Sequence, residues 1–345
     1  MGGGPLKLGI IGLSGSGKST IFEALTGNVQ GEGHKGEARI AVVKVPDDRV
    51  DLLSRMYNPK KTIFAQVDYY LPAKTGGKKD QNMWVAVRDC DAFVLVVRNF
   101  KQYGMDDPQP EKNRLELDQD MIISDQMVVE KRLERLELDG KRGKTVSQDE
   151  ITLLQKCLSM LENETPLRDD PEIATSPLLR GYAFVSAKPV LTLFNNDDDD
   201  DTLPAIKGGD ASNIALVIKG KLEQELSQMS EEEAKDFLEE FNITVTARDL
   251  VIQRSYDLLG LISFFTVGED EVRAWTIKTN TDAVDAAEVI HSDIKKGFIR
   301  AEVLSYTDLM DAGSYQEARK KGTVRLEGKT YKVQDGDIIN FRFNV

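Results

Sequence analysis

The stretch Gly12-Leu13-Ser14-Gly15-Ser16-Gly17-Lys18-Ser19 decides how this chain is read. It fits G-x-x-x-x-G-K-[ST], a loop whose backbone N–H groups cradle the phosphates of a nucleoside triphosphate. Its flanks agree. Leu6 to Ile11 is a short apolar run that predicts a buried strand, and Thr20 to Leu25 spaces its apolar residues for one helix face, with Gly27 as a stop signal. Strand, glycine loop and helix are the order such a site requires. Glycines let the N–H groups turn inward, and the helix N-terminus adds its partial positive charge. On this reading Gly12, Gly15, Ser16, Gly17, Lys18, Ser19 and Thr20 form the phosphate site. Lys18 is its catalytic cation on the β- and γ-phosphates, and the Ser19 hydroxyl is a Mg²⁺ ligand.

Composition bounds the rest. With 345 residues, 40% hydrophobic and 30% charged, the chain is long enough for two or three globular domains. Its two cysteines, Cys90 and Cys157, cannot build a disulfide framework and point to a reducing, cytoplasmic setting. No apolar run reaches the ~20 residues of a membrane span, and no basic segment precedes the first apolar run as in a signal peptide. A net charge of −13 argues against indiscriminate nucleic-acid binding, though not against a local basic patch. His34 and His291 are the only histidines, too few for a zinc site or a Ser-His-Asp triad.

Along the chain, Asn28–Gly36 reads as a mobile loop, Ala38–Val45 as a strand and Val50–Met56 as a short helix. Thr62–Asp68 reads as one further strand whose terminal carboxylate, Asp68, is expected to hold Mg²⁺ through water. Lys74–Lys79 falls in a second mobile segment. Asp91–Val97 is a continuous apolar run, typical of a parallel strand buried on both faces. Alternating strands and helices predict an α/β fold with a doubly wound, mostly parallel sheet. Between Glu111 and Glu164 the pattern turns helical. Ile122, Val129, Leu133 and Leu136, then Ile151, Leu154, Leu158 and Leu161, predict an antiparallel coiled-coil hairpin. Its tip, Asp139-Gly-Lys-Arg-Gly-Lys144, is basic and a candidate for touching RNA. Tyr182–Ser186 and Pro189–Phe194 resume the sheet and lead to Asn195 and Asp198, placed to read a base edge. Ile214–Ile218 reads as a strand followed by Gly220-Lys221, and Ser230 with Glu233 opens a helix by a capping box. From Ser263 onward, four short strands around one helix, Thr281–Lys296, suggest a β-grasp binding module.

Glu271–Thr276, Ala287–His291, Lys296–Val303, Tyr331–Asp337 and Phe341–Val345, with Val129–Leu136 and Lys188–Leu191 farther upstream, carry a resemblance most clearly. On these residues the whole length resembles the YchF family, a branch of the Obg-related phosphate-loop proteins. The resemblance implies a nucleotide-binding domain over 1–110 and 178–262, an inserted helical hairpin over 111–177 and a TGS domain over 263–345. It also implies Mg²⁺ as cofactor, ATP or GTP as ligand, slow hydrolysis, and a cytoplasmic role at the ribosome or its RNA through the hairpin tip and the TGS domain. Gly220 and Lys221 stand where such proteins carry a loop that packs near the base.

The departures from the family are specific. Its Val-Asp-Ile-Ala-Gly-Leu switch is here Val67-Asp-Tyr-Tyr-Leu71-Pro72, so the glycine that meets the γ-phosphate is lost. Its switch threonine falls at about Lys35, its Asn-x-x-Glu base motif becomes Asn195-Asn-Asp-Asp198, and the segment 98–111 has no histidine. Two readings follow. One is a slow ATP- or GTP-hydrolysing switch, the other a catalytically weak nucleotide-binding adaptor. A small-molecule kinase is disfavoured, because no arginine-rich lid is evident.

Overall fold

The computed structural model describes residues 6–27, 36–73, 81–205, 214–241, 243 and 245–344. Residues 28–35 of the expected loop Asn28–Gly36, Lys35 among them, and the segment Lys74–Lys79 lie outside the described residues. In chain order the elements begin β1 (Lys7–Ile11), α1 (Lys18–Thr26), β2 (Arg39–Lys44), α2 (Asp48–Tyr57), β3 (Lys61–Ile63), β4 (Gln66–Leu71), α3 (Gln81–Ala86) and β5 (Ala92–Asn99). They continue with α4 (Pro110–Lys141), α5 (Gln148–Glu162), α6 (Pro171–Thr175), β6 (Val190–Asn196), β7 (Ile214–Ile218), α7 (Gly220–Leu226), α8 (Glu231–Glu240) and α9 (Ala247–Leu258). The C-terminal part holds β8 (Leu261–Val267), β9 (Glu271–Lys278), α10 (Ala283–Ile290), α11 (Ser292–Lys296), β10 (Phe298–Ser305), α12 (Tyr306–Ala312), α13 (Tyr315–Lys320), β11 (Arg325–Glu327) and β12 (Asp337–Phe343). Among the described residues no helix is long and apolar enough to cross a membrane.

Contacts divide the chain into two compact units, Met1–Val42 with Asp68–Val251, and Val43–Val67 with Ile252–Val345. The hairpin over 111–177 falls inside the first unit. That unit's sheet runs β2-β4-β1-β5-β6-β7, with β4, β1, β5, β6 and β7 parallel. It is the mixed α/β, mostly parallel fold the sequence predicts. Every residue of β6 and all but the last of β5 are buried, which is why both read as unbroken apolar runs. The parallel order brings the carboxyl ends of β1, β5 and β6 to one edge, where ligands of such sheets bind.

The hairpin seam forms as the spacing predicts. Ile122, Val129 and Leu136 of α4 pack with Leu154, Cys157 and Leu161 of α5, and Leu133, Ile151 and Leu158 lie partly buried against them. Polar anchors that apolar periodicity cannot reveal join α4 to the rest of its unit. Arg114 Nε donates to Thr192 Oγ1 on β6 (2.8 Å). The fully buried Asp125 carboxylate accepts from the backbone N–H of Val185 (3.0 Å) and Ser186 (2.6 Å). Those two bonds also correct an expectation: 182–186 is not a strand but irregular, with the N–H groups of Val185 and Ser186 on Asp125 and those of Tyr182 and Ala183 on the Leu179 and Arg180 carbonyls. At the tip, Lys141 pairs with Glu137 and Lys144 with Asp139.

The second unit's sheet runs β11-β10-β12-β8-β9-β3. Antiparallel β8–β9 and β10–β12, with β12 parallel to β8, give the β-grasp order around a core of Phe264, Ile277, Ala283, Ala286, Ala287, Ala301, Val303 and Phe341. Two corrections arise here. The run read as one strand, Thr62–Asp68, is split between two sheets. Lys61–Ile63 adds as β3 beside β9, whereas Gln66–Leu71 is β4 beside β1. Alternation registers a strand's faces but not its neighbours, so the break at Phe64-Ala65 leaves no trace in the pattern. The expected helix Thr281–Lys296 is broken at His291, whose extended backbone (φ −164°) ends α10 and whose Nδ1 accepts from Asp293 N–H (3.2 Å) to cap α11.

Both cysteines are buried free thiols, and desolvation pushes each up to about 11. A thiol reagent at pH 8 is therefore expected to titrate neither in the native protein and both after unfolding in denaturant. Fast reaction of either in the native state would contradict this packing.

Candidate functional site

The phosphate loop leaves β1 after Ile11 and enters α1 at Lys18. Two of its glycines are required by geometry. A Cβ on Gly12 would stand 2.3 Å from the Val96 carbonyl oxygen on β5, so only glycine lets the loop lie against that strand. Gly17 adopts φ +92° and N-caps α1, and its Cβ would meet Asn195 Nδ2 at 2.3 Å. Lys18 Nζ lies across the loop, donating to the carbonyls of Gly12 (2.6 Å) and Leu13 (2.8 Å). The loop opens into a cavity of about 1000 Å³ lined by Gly12, Gly15, Gly17, Lys18, Ser19 and Thr20, the volume of a nucleotide-sized ligand pocket. Ser16, expected among the phosphate ligands, is instead buried beneath the loop. Its Oγ, without a hydrogen-bond partner among the described residues, would lie 2.7 Å from a Cβ on Gly12.

At the other end of the cavity, β6 delivers Asn195, Asn196, Asp197 and Asp198. Asn195 is buried, and its carboxamide is largely committed. Nδ2 donates to Ser16 O (3.1 Å), and Oδ1 accepts from Gly220 N–H (3.0 Å). Expected as a reader of the base, Asn195 lines the cavity and also forms a strut that ties the phosphate loop to the start of α7. Gly220 is buried behind that bond, while the exposed Asp198 and Lys221 both line the cavity. Asp197 accepts from Lys101 N–H (3.1 Å), fixing the end of β6 against the segment that follows β5.

The wall beside the phosphates differs from expectation. In the β1–β4 register Asp68 stands opposite Lys7, at the far end of β1 from the loop. Gly12 lies five residues beyond Lys7, roughly 16 Å along the strand direction. Asp68 does not line the cavity, and burial raises its carboxyl above the usual carboxylate range despite Lys7 nearby. The expected metal role of Asp68 is therefore corrected: the residue is on the right strand and at the wrong end. Continuing the register sets Leu71 level with Ile10, and Leu71, Pro72, Ala73 and Met83 line the cavity there. Met105, which sequence reasoning missed, packs on the loop with its Cε 2.8 Å from where a Cβ of Gly15 would stand. Nothing in the polar run around it signals that contact. Among the described residues no three His, Cys, Asp or Glu side chains cluster to hold a metal. Of the two expected Mg²⁺ residues, only Ser19 stands at the cavity, so the donor set does not fit the site foreseen.

With this geometry in hand, comparison with known proteins is informative. Residues 261–344 match the family model YchF-GTPase_C, described as "Protein of unknown function (DUF933)". The chain is 35% identical to the Bacillus subtilis (strain 168) protein named ribosome-binding ATPase YchF, over 99% of this chain and 100% of the relative. It is 30% identical to the protein of the same name from Escherichia coli O157:H7, over 98% and 99% of the two chains. The solved structure of the Schizosaccharomyces pombe YchF GTPase superposes with a TM-score of 0.83 at 29% identity, covering 99% of both chains. The chain belongs to the YchF family.

Proposed function

We propose that this protein binds a purine nucleoside triphosphate, ATP or GTP, in the cavity at the phosphate loop and acts at the ribosome in the cytoplasm, with slow hydrolysis. The single observation that carries the nucleotide half is the loop itself. Gly12 lies against β5, Gly17 opens α1, and the Lys18 ammonium faces a cavity of nucleotide size. The names of relatives, ribosome-binding ATPase and GTPase, support the class of ligand and partner without choosing the base.

Each part has a role in this account. Backbone N–H groups and Lys18 hold the β- and γ-phosphates, and of the residues expected to hold Mg²⁺ only Ser19 stands at the cavity among the described residues. Asp198 and Lys221 border the base end, and Asn195 holds the two ends in register. Hydrolysis needs a water in line with the γ-phosphorus, its proton passing to the phosphate as the bond to the β–γ bridging oxygen breaks. Leu71, Pro72 and Met105 offer that water no hydrogen-bond acceptor on the side chain, which favours the weak-adaptor reading over a brisk switch.

For the ribosome, the charges are informative. Glu137 and Asp139 offset two of the three cations at the hairpin tip, so only one net positive charge is left there for RNA. In the β-grasp unit Arg319 of α13 and Arg342 of β12 share the buried Glu302 of β10 yet stay half exposed, and Arg300 lies opposite Arg342 in register. We assign the main ribosome contact to this arginine face and a secondary one to the tip. Co-sedimentation with ribosomes is expected to be salt-sensitive, weakened several-fold by Arg342→Glu and less by Arg142→Glu. Single-turnover hydrolysis is expected on the order of 10⁻³ s⁻¹ or below, as for unassisted switch proteins. Failure to pellet with ribosomes at low salt would remove the ribosome half of the proposal. Turnover of several per second would remove the weak-adaptor reading.

A further inference from the structure

We infer that nucleotide binding to this chain does not depend on Mg²⁺, because Leu71 stands at the strand end from which a carboxylate would hold the ion's water. The inference rests on the reading of the loop as a nucleotide site and concerns how that site treats the metal. Three observations meet here. The β1–β4 register puts the strand's carboxylate, Asp68, level with Lys7, and continued by one residue past Gly9–Tyr70 it sets a side chain without an acceptor, Leu71, level with Ile10. Leu71 is buried, so it does not vacate the place for solvent. Its neighbours on the cavity wall, Pro72, Ala73 and Met83, also lack side-chain acceptors, and Met105 closes over Gly15.

Magnesium demands near-ideal octahedral oxygen geometry and gives up its waters reluctantly, so a protein grips it through one or two carboxylates that orient those waters. An apolar wall cannot accept from them and makes their approach unfavourable. Among the described residues of this wall, an ion meets the nucleotide's own phosphates and one serine hydroxyl, and so gains little over its state in solution. A ligand shifts an equilibrium only by its differential affinity for the two states. The loop's grip comes instead from backbone N–H groups and from Lys18, which act on phosphate charge whether or not a metal is present. Glu37 is the one carboxylate lining the cavity away from the base end among the described residues, and it identifies the control.

The experiment is titration of the wild-type protein with a ribose-labelled fluorescent ATP, in Mg²⁺ and in EDTA. Dissociation constants within about threefold of each other are expected. Leu71→Asp, which restores a carboxylate at the strand end, is expected to bind at least about tenfold tighter in Mg²⁺ than in EDTA. Leu71→Asn, which adds an oxygen without a charge, serves if the aspartate variant does not fold, with the same direction and a smaller ratio. Wild-type binding that weakens tenfold or more in EDTA overturns the inference, and loss of that dependence in Glu37→Gln would name the acceptor responsible. Saturable binding in neither buffer would instead overturn the nucleotide site itself, a different failure from metal dependence.

Discussion

Replacing Lys18 with alanine is expected to lower affinity for ATP and GTP analogues by roughly 100-fold or more, because charge-assisted hydrogen bonds contribute about 1.5–3 kcal/mol each. Lys18 brings the ammonium inside the loop's turn, where it reaches the carbonyls of Gly12 and Leu13. A nucleotide's phosphates would take over those bonds with a full negative charge, a stronger partner than a neutral carbonyl. Stability should change little, since Lys18 is only partly buried and the fold's core does not rest on it. Calorimetric titration beside thermal unfolding separates the two effects. A variant that binds like the wild type would show that the loop is not the site, whereas one that loses both binding and fold would show that the lysine is structural.

Asn195→Ala is expected to cost about 3 kcal/mol of stability, since each of two buried groups left unpaired costs roughly 1–3 kcal/mol. The groups are the Ser16 carbonyl and the Gly220 N–H, which the Asn195 carboxamide joins across the sheet edge at 3.1 and 3.0 Å. Its loss also frees the phosphate loop from the start of α7, so nucleotide affinity should fall together with stability. Asn195→Asp, which keeps the acceptor for Gly220 and sets an oxygen against the Ser16 carbonyl, should be no better than alanine. Urea unfolding of both variants checks this. Wild-type stability with altered base preference would mean that Asn195 reads the base and braces nothing.

These two residues show how much of the molecule the sequence carries. The phosphate loop was legible because its constraints are local: glycines at Gly12 and Gly17, a lysine after them, a strand before and a helix after. The seam of Ile122, Val129, Leu154 and Leu161 was legible for the same reason, periodicity being a property of one segment. What escaped depends on register and long-range contact. Asp68 carries the right side chain on the right strand, yet only its pairing with Lys7 reveals that it stands at the end of the strand far from the loop. Splitting Lys61–Leu71 between two sheets leaves no mark on alternation. The bracing task of Asn195 escaped, because a side chain that hydrogen-bonds backbone atoms 179 and 25 residues away has no local signature. Met105 over Gly15 is a contact of the same kind.

The central claim is that the loop at Gly12–Ser19 holds a nucleoside triphosphate, and equilibrium titration of wild-type protein with fluorescent ATP and GTP analogues tests it most directly. Saturable binding to at least one base in the micromolar range, about −8 kcal/mol, displaced by unlabelled nucleotide, is the predicted result. Absence of saturable binding to both analogues up to millimolar concentration would contradict it and leave the chain a family member whose phosphate loop no longer works.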